Sequence, residues 1–383
     1  MSKTNTDKPK ESISAEKFYE KVKEKQDFVL LDVRSKQVAE EWNLNFENVK
    51  TINYPYFKLT ESIPEELENR LDLDTEIIVV CTKGKSSGMV TENLCSEGYN
   101  ARSLASGTNG WSMIYKKRQI PTKNDDIKVY QYERPSSGCL AYMIISDDEA
   151  VVIDPLKQYS NTYITDAESH DASIEYIVDT HIHADHISGF DVLSEQTDAT
   201  KIMYKNAKER GVEYEFETVE HGDTIKFGSD QLEVINTPGH TTDMTSYYID
   251  NLLFTGDSLF LDSIARPDLE DQDKAEDMAE VLYQTIKDMF NLPNNTIIAP
   301  GHKSGIHPSD TLNNTFTSEL QDVKDDLDIL DYNTDEFVNY ILEDMPPRPA
   351  NYESIIQINK GLKYVSESEE YQLELGPNNC SAS

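Results

Sequence analysis

The chain reads as two successive α/β units of different kinds, and three features of its 383 residues predict this. Over the first third, apolar runs of strand length, FVLLDV (28–33) and EIIVVC (76–81), alternate with helix patterns, AEKFYEKV (15–22) and SSGMVTENLCSEG (86–98), the rhythm of parallel strands joined by helices. From residue 128 short strand patterns follow one another instead: KVYQYE, CLAYMII, AVVID and IEYIVDT, then LEVINT, TSYYID, LLFT and TIIA, with a long helix pattern at DMAEVLYQTIKDMF. That predicts mixed α/β structure with sheets near its core. The charge changes at the same place: residues 1–120 hold 18 basic and 19 acidic residues, and the remainder holds 17 and 52.

The expected organisation follows from these shifts. Residues 1–11 are polar and read as a disordered start. An α/β domain occupies 12–118, and a linker 119–127 falls in the charged stretch KKRQIPTKNDD. The second domain spans 128–310, a polar helical C-terminal part of it spans 311–365, and SESEEYQLELGPNNCSAS (366–383) reads as a mobile tail. No internal repeat is visible.

Composition excludes several functions. A net charge of −36 argues against nucleic acid or an anionic membrane as a partner. The acidic excess suits a salty cytoplasm or plain solubility, and the sequence leaves both open. No run approaches the ~20 apolar residues of a membrane span, and the start MSKTNTDKPKESIS lacks the apolar core of a signal peptide, so a soluble, cytoplasmic protein is expected. The cysteines, Cys81, Cys95, Cys139 and Cys380, form no CxxC pair and indicate neither a disulfide framework nor a thiolate zinc site. Cys95 and Cys139 read as packed core, and Cys380 as an unimportant thiol in the tail.

THIHADHISG (180–189) concentrates metal-ligating side chains: His181, His183, Asp185 and His186 follow a strand pattern. Alternate residues leaving a strand end point to one side, and a helix starting near Ala184 would return His186 to the same point. Three further segments share one design of strand, glycine turn and ligand: VINTPGHT with His240, LLFTGDSLF with Asp257, and TIIAPGHK with His302. Glycine permits the sharp turn and close approach that each needs. Imidazole and carboxylate without thiolate suit Zn, Fe or Mn. The remaining histidines, His170, His221 and His307, read as surface residues.

In this order, HxHxDH, PGH, GD and PGH resemble the metallo-β-lactamase superfamily over roughly 128–310. The resemblance implies an αββα sandwich with metals at one edge of two facing sheets. Carried over, it implies one site from His181, His183 and His240, a second from Asp185, His186 and His302, and Asp257 as a bridge, with Asp154 in VVIDP as a structural neighbour. The persulfide dioxygenase branch keeps all seven residues and is expected to use a single Fe(II) on His181, His240 and Asp257, with His183, Asp185, His186 and His302 as outer-sphere or second-metal ligands. Two imidazoles and one carboxylate leave three positions of an octahedral iron open for substrate sulfur and O₂. The glyoxalase II branch instead fills both sites with Zn or Fe and cleaves a thioester with a metal-bound hydroxide.

VVCTKGKSSGM (79–89) places Cys81 at a strand end before a helix start, where aligned amide dipoles stabilise a thiolate or persulfide. With LDVR (31–34) and GYNARSLASGTNGW (98–111) it resembles a rhodanese domain over about 12–118. Many active rhodaneses have an arginine five residues after the cysteine, where this chain has Ser86; Lys83 and Lys85 supply point charges in its place. DSIARPDLE (262–270), with Arg266 where the dioxygenases hold an arginine near substrate, and MPPRPANYESIIQINKG (345–361) extend the likeness to fused sulfur-metabolism proteins. His302 is followed by Lys303 and not by an aromatic pair, which leaves the thiol carrier open.

The expected function is therefore oxidation of a low-molecular-weight thiol persulfide to sulfite by O₂ at one iron. Sulfur transfer through Cys81 would connect persulfide, sulfite and thiosulfate. The alternatives are a dinuclear thioester hydrolase of the hydroxyacylglutathione hydrolase type and a non-enzymatic sulfur carrier. A homo-oligomer is compatible with the sequence, which shows no interface.

Overall fold

Five parallel strands make the first sheet of the computed structural model, in the order Ser12–Ile13, Ala101–Leu104, Ile77–Val80, Val29–Asp32, Lys50–Asn53. The structure describes residues 12–46, 48–59, 62–303, 314–327, 329, 332–343, 345, 348, 351–375 and 381–382. The expectations for 1–11, His307 and Cys380 lie outside them. The central strand IIVV is buried on both faces: Ile78 and Val80 pack with Phe18 and Trp111, and Ile77 and Val79 with Leu67 and Leu94. Helices on both sides of a parallel sheet explain the unbroken apolar runs in the sequence. Cys81 lies just past the carboxyl end of that strand.

The second unit is two facing sheets. One has seven strands, ordered Glu217–Val219, Thr200–Tyr204, Ser173–Val178, Glu149–Ile153, Cys139–Ser146, Ile127–Arg134, Lys116–Ile120; the other has six, ordered Thr224–Phe227, Asp230–Asn236, Thr245–Ile249, Leu252–Gly256, Ile297–Pro300, Ser318–Glu319. Successive residues alternate between layers. Tyr142, Ile144, Val151 and Ile153 meet Val234, Tyr247 and Phe254 between the sheets, whereas Met143, Ile145 and Val152 meet Tyr163 and Leu193 on the outer helices. Helix Ala275–Met289 covers the other sheet through Leu282 and Ile286. Among the described residues no helix is long and apolar enough to cross a membrane.

Two expectations are corrected. The stretch read as a linker starts inside a strand: Lys116–Ile120 pairs antiparallel with Ile127–Arg134. Its charges have partners that make a strand affordable, since Lys117 lies 4.2 Å from the Tyr130 ring and Arg118 pairs with Glu133 and Tyr19. The tail read as mobile is ordered from 366 to 375, with a helix at Glu367–Leu373. Glu374 is buried against Arg134 at 3.1 Å, both side chains 1% exposed, and Leu375 packs on the core of the first unit. A buried guanidinium without a carboxylate is costly, and the tail supplies the carboxylate. Residues Ser381–Ala382 pair with Ile264–Ala265.

Glu133 is another buried ionic junction: it pairs with both Arg118 and Lys303. Burial opposes its charge, but Lys303 and Arg118 outweigh this and hold the carboxyl below its usual range. Its contribution is therefore complete above the ordinary glutamate pKa of ~4.3 and is lost as pH falls through the lowered value. Replacing Glu133→Ala leaves two cations without their partner and is expected to cost about 3–5 kcal/mol at neutral pH in denaturant melts, the gap to the wild type narrowing in acid.

Candidate metal centre

Every ligand residue expected from the sequence comes to one edge of the sandwich. His181 and His183 follow strand Ser173–Val178, Asp257 follows Leu252–Gly256, His302 follows Ile297–Pro300, and His240 lies in the turn after Asp230–Asn236. The His181 ring lies 4.3 Å from His183 and 5.1 Å from His240, and His183 lies 4.1 Å from His186. Close approach needs Gly301, where a Cβ would stand 2.7 Å from Asp257 Oδ1.

Each ring is aimed by a hydrogen bond on its far side. His240 Nδ1 donates to the backbone carbonyl of Arg266 at 2.9 Å. The Thr180 hydroxyl donates to Asp154 Oδ2 at 2.9 Å and lies 3.0 Å from His181 Nδ1, while His183 Nε2 lies 3.1 Å from Asp154 Oδ1. Asp154, at φ 50°, thus orients two rings at once and also accepts the Thr180 N–H. Such outer partners fix tautomer and direction for a metal ligand.

What these bonds leave over is decisive. His181 Nε2, His240 Nε2 and Asp257 Oδ2 are buried with no hydrogen-bond partner, and the two nitrogens lie 3.9 and 3.8 Å from that oxygen. Buried polar atoms are nearly always satisfied, so three unpartnered lone pairs facing one point fit a cation. The other Asp257 oxygen is occupied, because His302 bonds Asp257 Oδ1 at 2.5 Å and Asp185 Oδ2 at 2.6 Å. Asp185, His186 and His302 form a second group, and His186 Nε2 is also unpartnered.

Electrostatics follow this wiring. Burial pushes the His181 imidazole well below its ordinary range, with His183 and His240 adding to the shift, and burial likewise lowers His240. Burial opposes charge on His302, but Asp185 and Asp257 hold it well above that range. Burial also raises the Asp179 carboxyl to about 7, opposed by His183 and reinforced by Asp154. A neutral pair of imidazoles beside ionised Asp257 is the state that a metal needs.

Three sequence readings change here. The ligand run does not enter a helix near Ala184; residues 181–189 form a loop and the helix starts at Phe190. Side chains take up its backbone groups: Asp243 accepts Ile182 N–H at 3.0 Å, and Asn359 and Glu374 hold 183–188. Cys139 is buried as expected, yet it is also part of the site, with Sγ 3.2 Å from Asp185 Oδ2 and within the second ligand group. Its position opening a strand at the ligand edge was the available signal. His170 is half-buried, stacked 5.2 Å from Tyr130, whereas His221 is exposed.

Arg266 is buried with its guanidinium on Asp268 at 2.7 Å. Cys81 lies apart from the metal ligands, on the first sheet. Its sulfur accepts the Ser87 N–H at 3.3 Å and lies 3.2 Å from the Ser87 hydroxyl, at the start of helix Lys85–Ser96. Thr108 N–H donates to Cys81 O, and Gly107 at φ 60° allows this, since a Cβ there would stand 1.9 Å from the same oxygen. Lys83 and Lys85 are exposed beside the loop.

Comparison with known proteins gives two family matches: the metallo-beta-lactamase superfamily over residues 135–302 and the rhodanese-like domain over 14–114. Over 238 residues the chain is 26% identical to "Persulfide dioxygenase ETHE1, mitochondrial" of Bos taurus, covering 59% of this chain and 88% of that one. It is 30% identical over 184 residues to "Probable metallo-hydrolase YqgX" of Bacillus subtilis, covering 42% and 83%. Hydroxyacylglutathione hydrolases are also among the relatives. The crystal structure of ETHE1 from Myxococcus xanthus superposes with a TM-score of 0.52 at 26% identity, over 66% of this chain and 100% of that one. The fold, the relatives and the ligand groups together imply a metal-dependent enzyme.

The Thr180 hydroxyl tests the wiring without replacing a candidate ligand residue. Thr180→Val removes the group between Asp154 and His181 and is expected to weaken metal affinity about 10- to 100-fold, read by competition with a chelator.

Proposed function

The chain belongs to the metallo-β-lactamase superfamily and carries a rhodanese-like domain ahead of it, and from that premise we propose that it is a persulfide dioxygenase with a sulfurtransferase domain. The substrate is a low-molecular-weight thiol persulfide, the oxidant is O₂, and the product is sulfite. The metal is one Fe(II), held by His181, His240 and Asp257. The carrying observation is the meeting of three unpartnered ligand atoms, one from each of these residues. Two imidazoles and one carboxylate match the facial set of non-haem iron oxygenases, in which the ion supplies open positions for substrate and O₂.

The chain's own residues then have defined tasks. Arg266 directs His240 through its carbonyl, and Thr180 with Asp154 directs His181. His302 holds Asp257 Oδ1, which leaves Oδ2 free to face the two imidazoles. Both of its ring nitrogens are engaged, the second by Asp185, which supports His302 and Asp185 as outer-sphere groups. His183 and His186 line the same edge. Arg266 is proposed as a substrate neighbour as well, steadied by Asp268.

In the first domain the Cys81 thiolate attacks the outer sulfur of thiosulfate, sulfite leaves with the electron pair of the S–S bond, and the enzyme holds a cysteine persulfide. The reverse transfer passes that sulfur to sulfite. Ser87 N–H donates to the sulfur, and Lys83 and Lys85 draw the anion toward the loop. A domain that exchanges sulfane sulfur with sulfite uses the metal centre's product, which a thioester hydrolase would not provide. Three free cysteines among the described residues suit a reducing compartment, and we place the reaction in the cytoplasm.

One observation favours a second reading. His186 Nε2 is unpartnered beside Asp185 and His302, so a second ion there would give a dinuclear zinc or iron thioester hydrolase. Paired substitutions separate the readings. Asp257→Ala is expected to abolish O₂ uptake with glutathione persulfide while thiosulfate-to-cyanide sulfur transfer persists; Cys81→Ser is expected to do the reverse. Thioester hydrolysis lost in Asp257→Ala, with no O₂ uptake in the wild type, would sink the dioxygenase reading.

A further inference from the structure

We propose that Asn359 is a positioning residue of the metal centre, holding the ligand loop from the C-terminal segment with Glu374 as its neighbour. Asn359 ends helix Tyr352–Asn359, well beyond the superfamily match, and is 6% exposed. Its amide nitrogen donates to the carbonyls of two loop histidines, His183 at 2.9 Å and His186 at 2.8 Å. Its amide oxygen accepts the Ser188 N–H at 3.0 Å. Both donor hydrogens and the acceptor are thus committed to one six-residue stretch. Glu374 adds to the hold by accepting Ile187 N–H at 2.6 Å, and its other oxygen is fixed by Arg134.

The loop needs this help because it has no regular structure of its own. Buried backbone groups must be paired. Lys157 N–H and a bridge to Leu156 serve Ile187 O and Ser188, while the His183 and His186 carbonyls and the Ile187 and Ser188 N–H groups take side chains from far along the chain. The His183 and His186 rings leave the backbone beside the two carbonyls that Asn359 grips. Turning either carbonyl re-aims a ring whose other nitrogen is unpartnered, His183 Nδ1 and His186 Nε2. An aspartate of the same shape would set a carboxylate against two carbonyl oxygens, so shape alone cannot replace the amide. Among the iron ligands, His181 and His240 are aimed by Thr180 and Arg266 instead, and the effect should fall on turnover more than on metal content.

The O₂ arm of the test rests on the dioxygenase reading, and the other arms do not. Full-length Asn359→Ala and Asn359→Asp, loaded with Fe(II), are compared with the wild type. We expect kcat for O₂ uptake to fall on the order of tenfold with a smaller change in KM, and iron to pass to a chelator faster. Thiosulfate-to-cyanide transfer at Cys81 should be unchanged. The proposal is overturned if Asn359→Ala keeps kcat and iron release within about twofold of the wild type, or if it loses sulfur transfer and melting temperature in step, the mark of a general folding role. Should the variants not fold, hydrogen exchange in the wild type decides: a Ser188 amide protected like strand amides supports the clamp, and one exchanging like an exposed loop removes it. A wild type without O₂ uptake would refute the dioxygenase reading alone, since iron release and exchange still judge Asn359.

Discussion

A lone pair buried without a partner is expensive, and this molecule gathers three of them at one point. His181 Nε2, His240 Nε2 and Asp257 Oδ2 face one another without a hydrogen bond, and His183 Nδ1 and His186 Nε2 nearby are likewise unpartnered. The neighbours are arranged to keep it so. Thr180, Asp154, the Arg266 carbonyl and His302 each occupy the far side of a ligand and leave the near side empty-handed. The two sheets, the glycine at 301 and the loop of 181–189 are the means by which three distant segments deliver those atoms to one edge.

The wiring also joins the two units. Arg134 donates to Ser112 O on helix Gly107–Ser112, the helix whose Thr108 N–H holds Cys81 O. Arg134 pairs with Glu374, which accepts the amide after His186. Tyr371 reaches Asn109 O and Ser112 Oγ from the same C-terminal helix. The C-terminal segment is therefore part of both sites' support, and its polar composition disguises a buried role.

Strands and the clustering of the candidate ligands were legible in the sequence for one physical reason: each group of candidates follows an apolar strand, and His240, Asp257 and His302 each follow a glycine. The place of Cys81 at a strand end was legible in the same way. The Lys116–Ile120 strand was hidden by charge, because its partners Tyr130 and Glu133 become neighbours only once the sheet forms. Cys139 looked like core because a buried thiol and a thiol beside Asp185 have the same local sequence. The segment 345–361 stood out, but the contacts of Asn359 and Glu374 did not, because they cross more than a hundred and fifty residues.

The central claim is that three converging atoms hold one redox-active ion. It is tested most directly by counting and identifying metal on anaerobically purified protein while following O₂ on addition of glutathione persulfide. The account predicts about one iron per chain, in keeping with one facial ligand set, and O₂ consumed as sulfite appears. Two zinc ions per chain, with no O₂ consumed and a thioester cleaved, would contradict it.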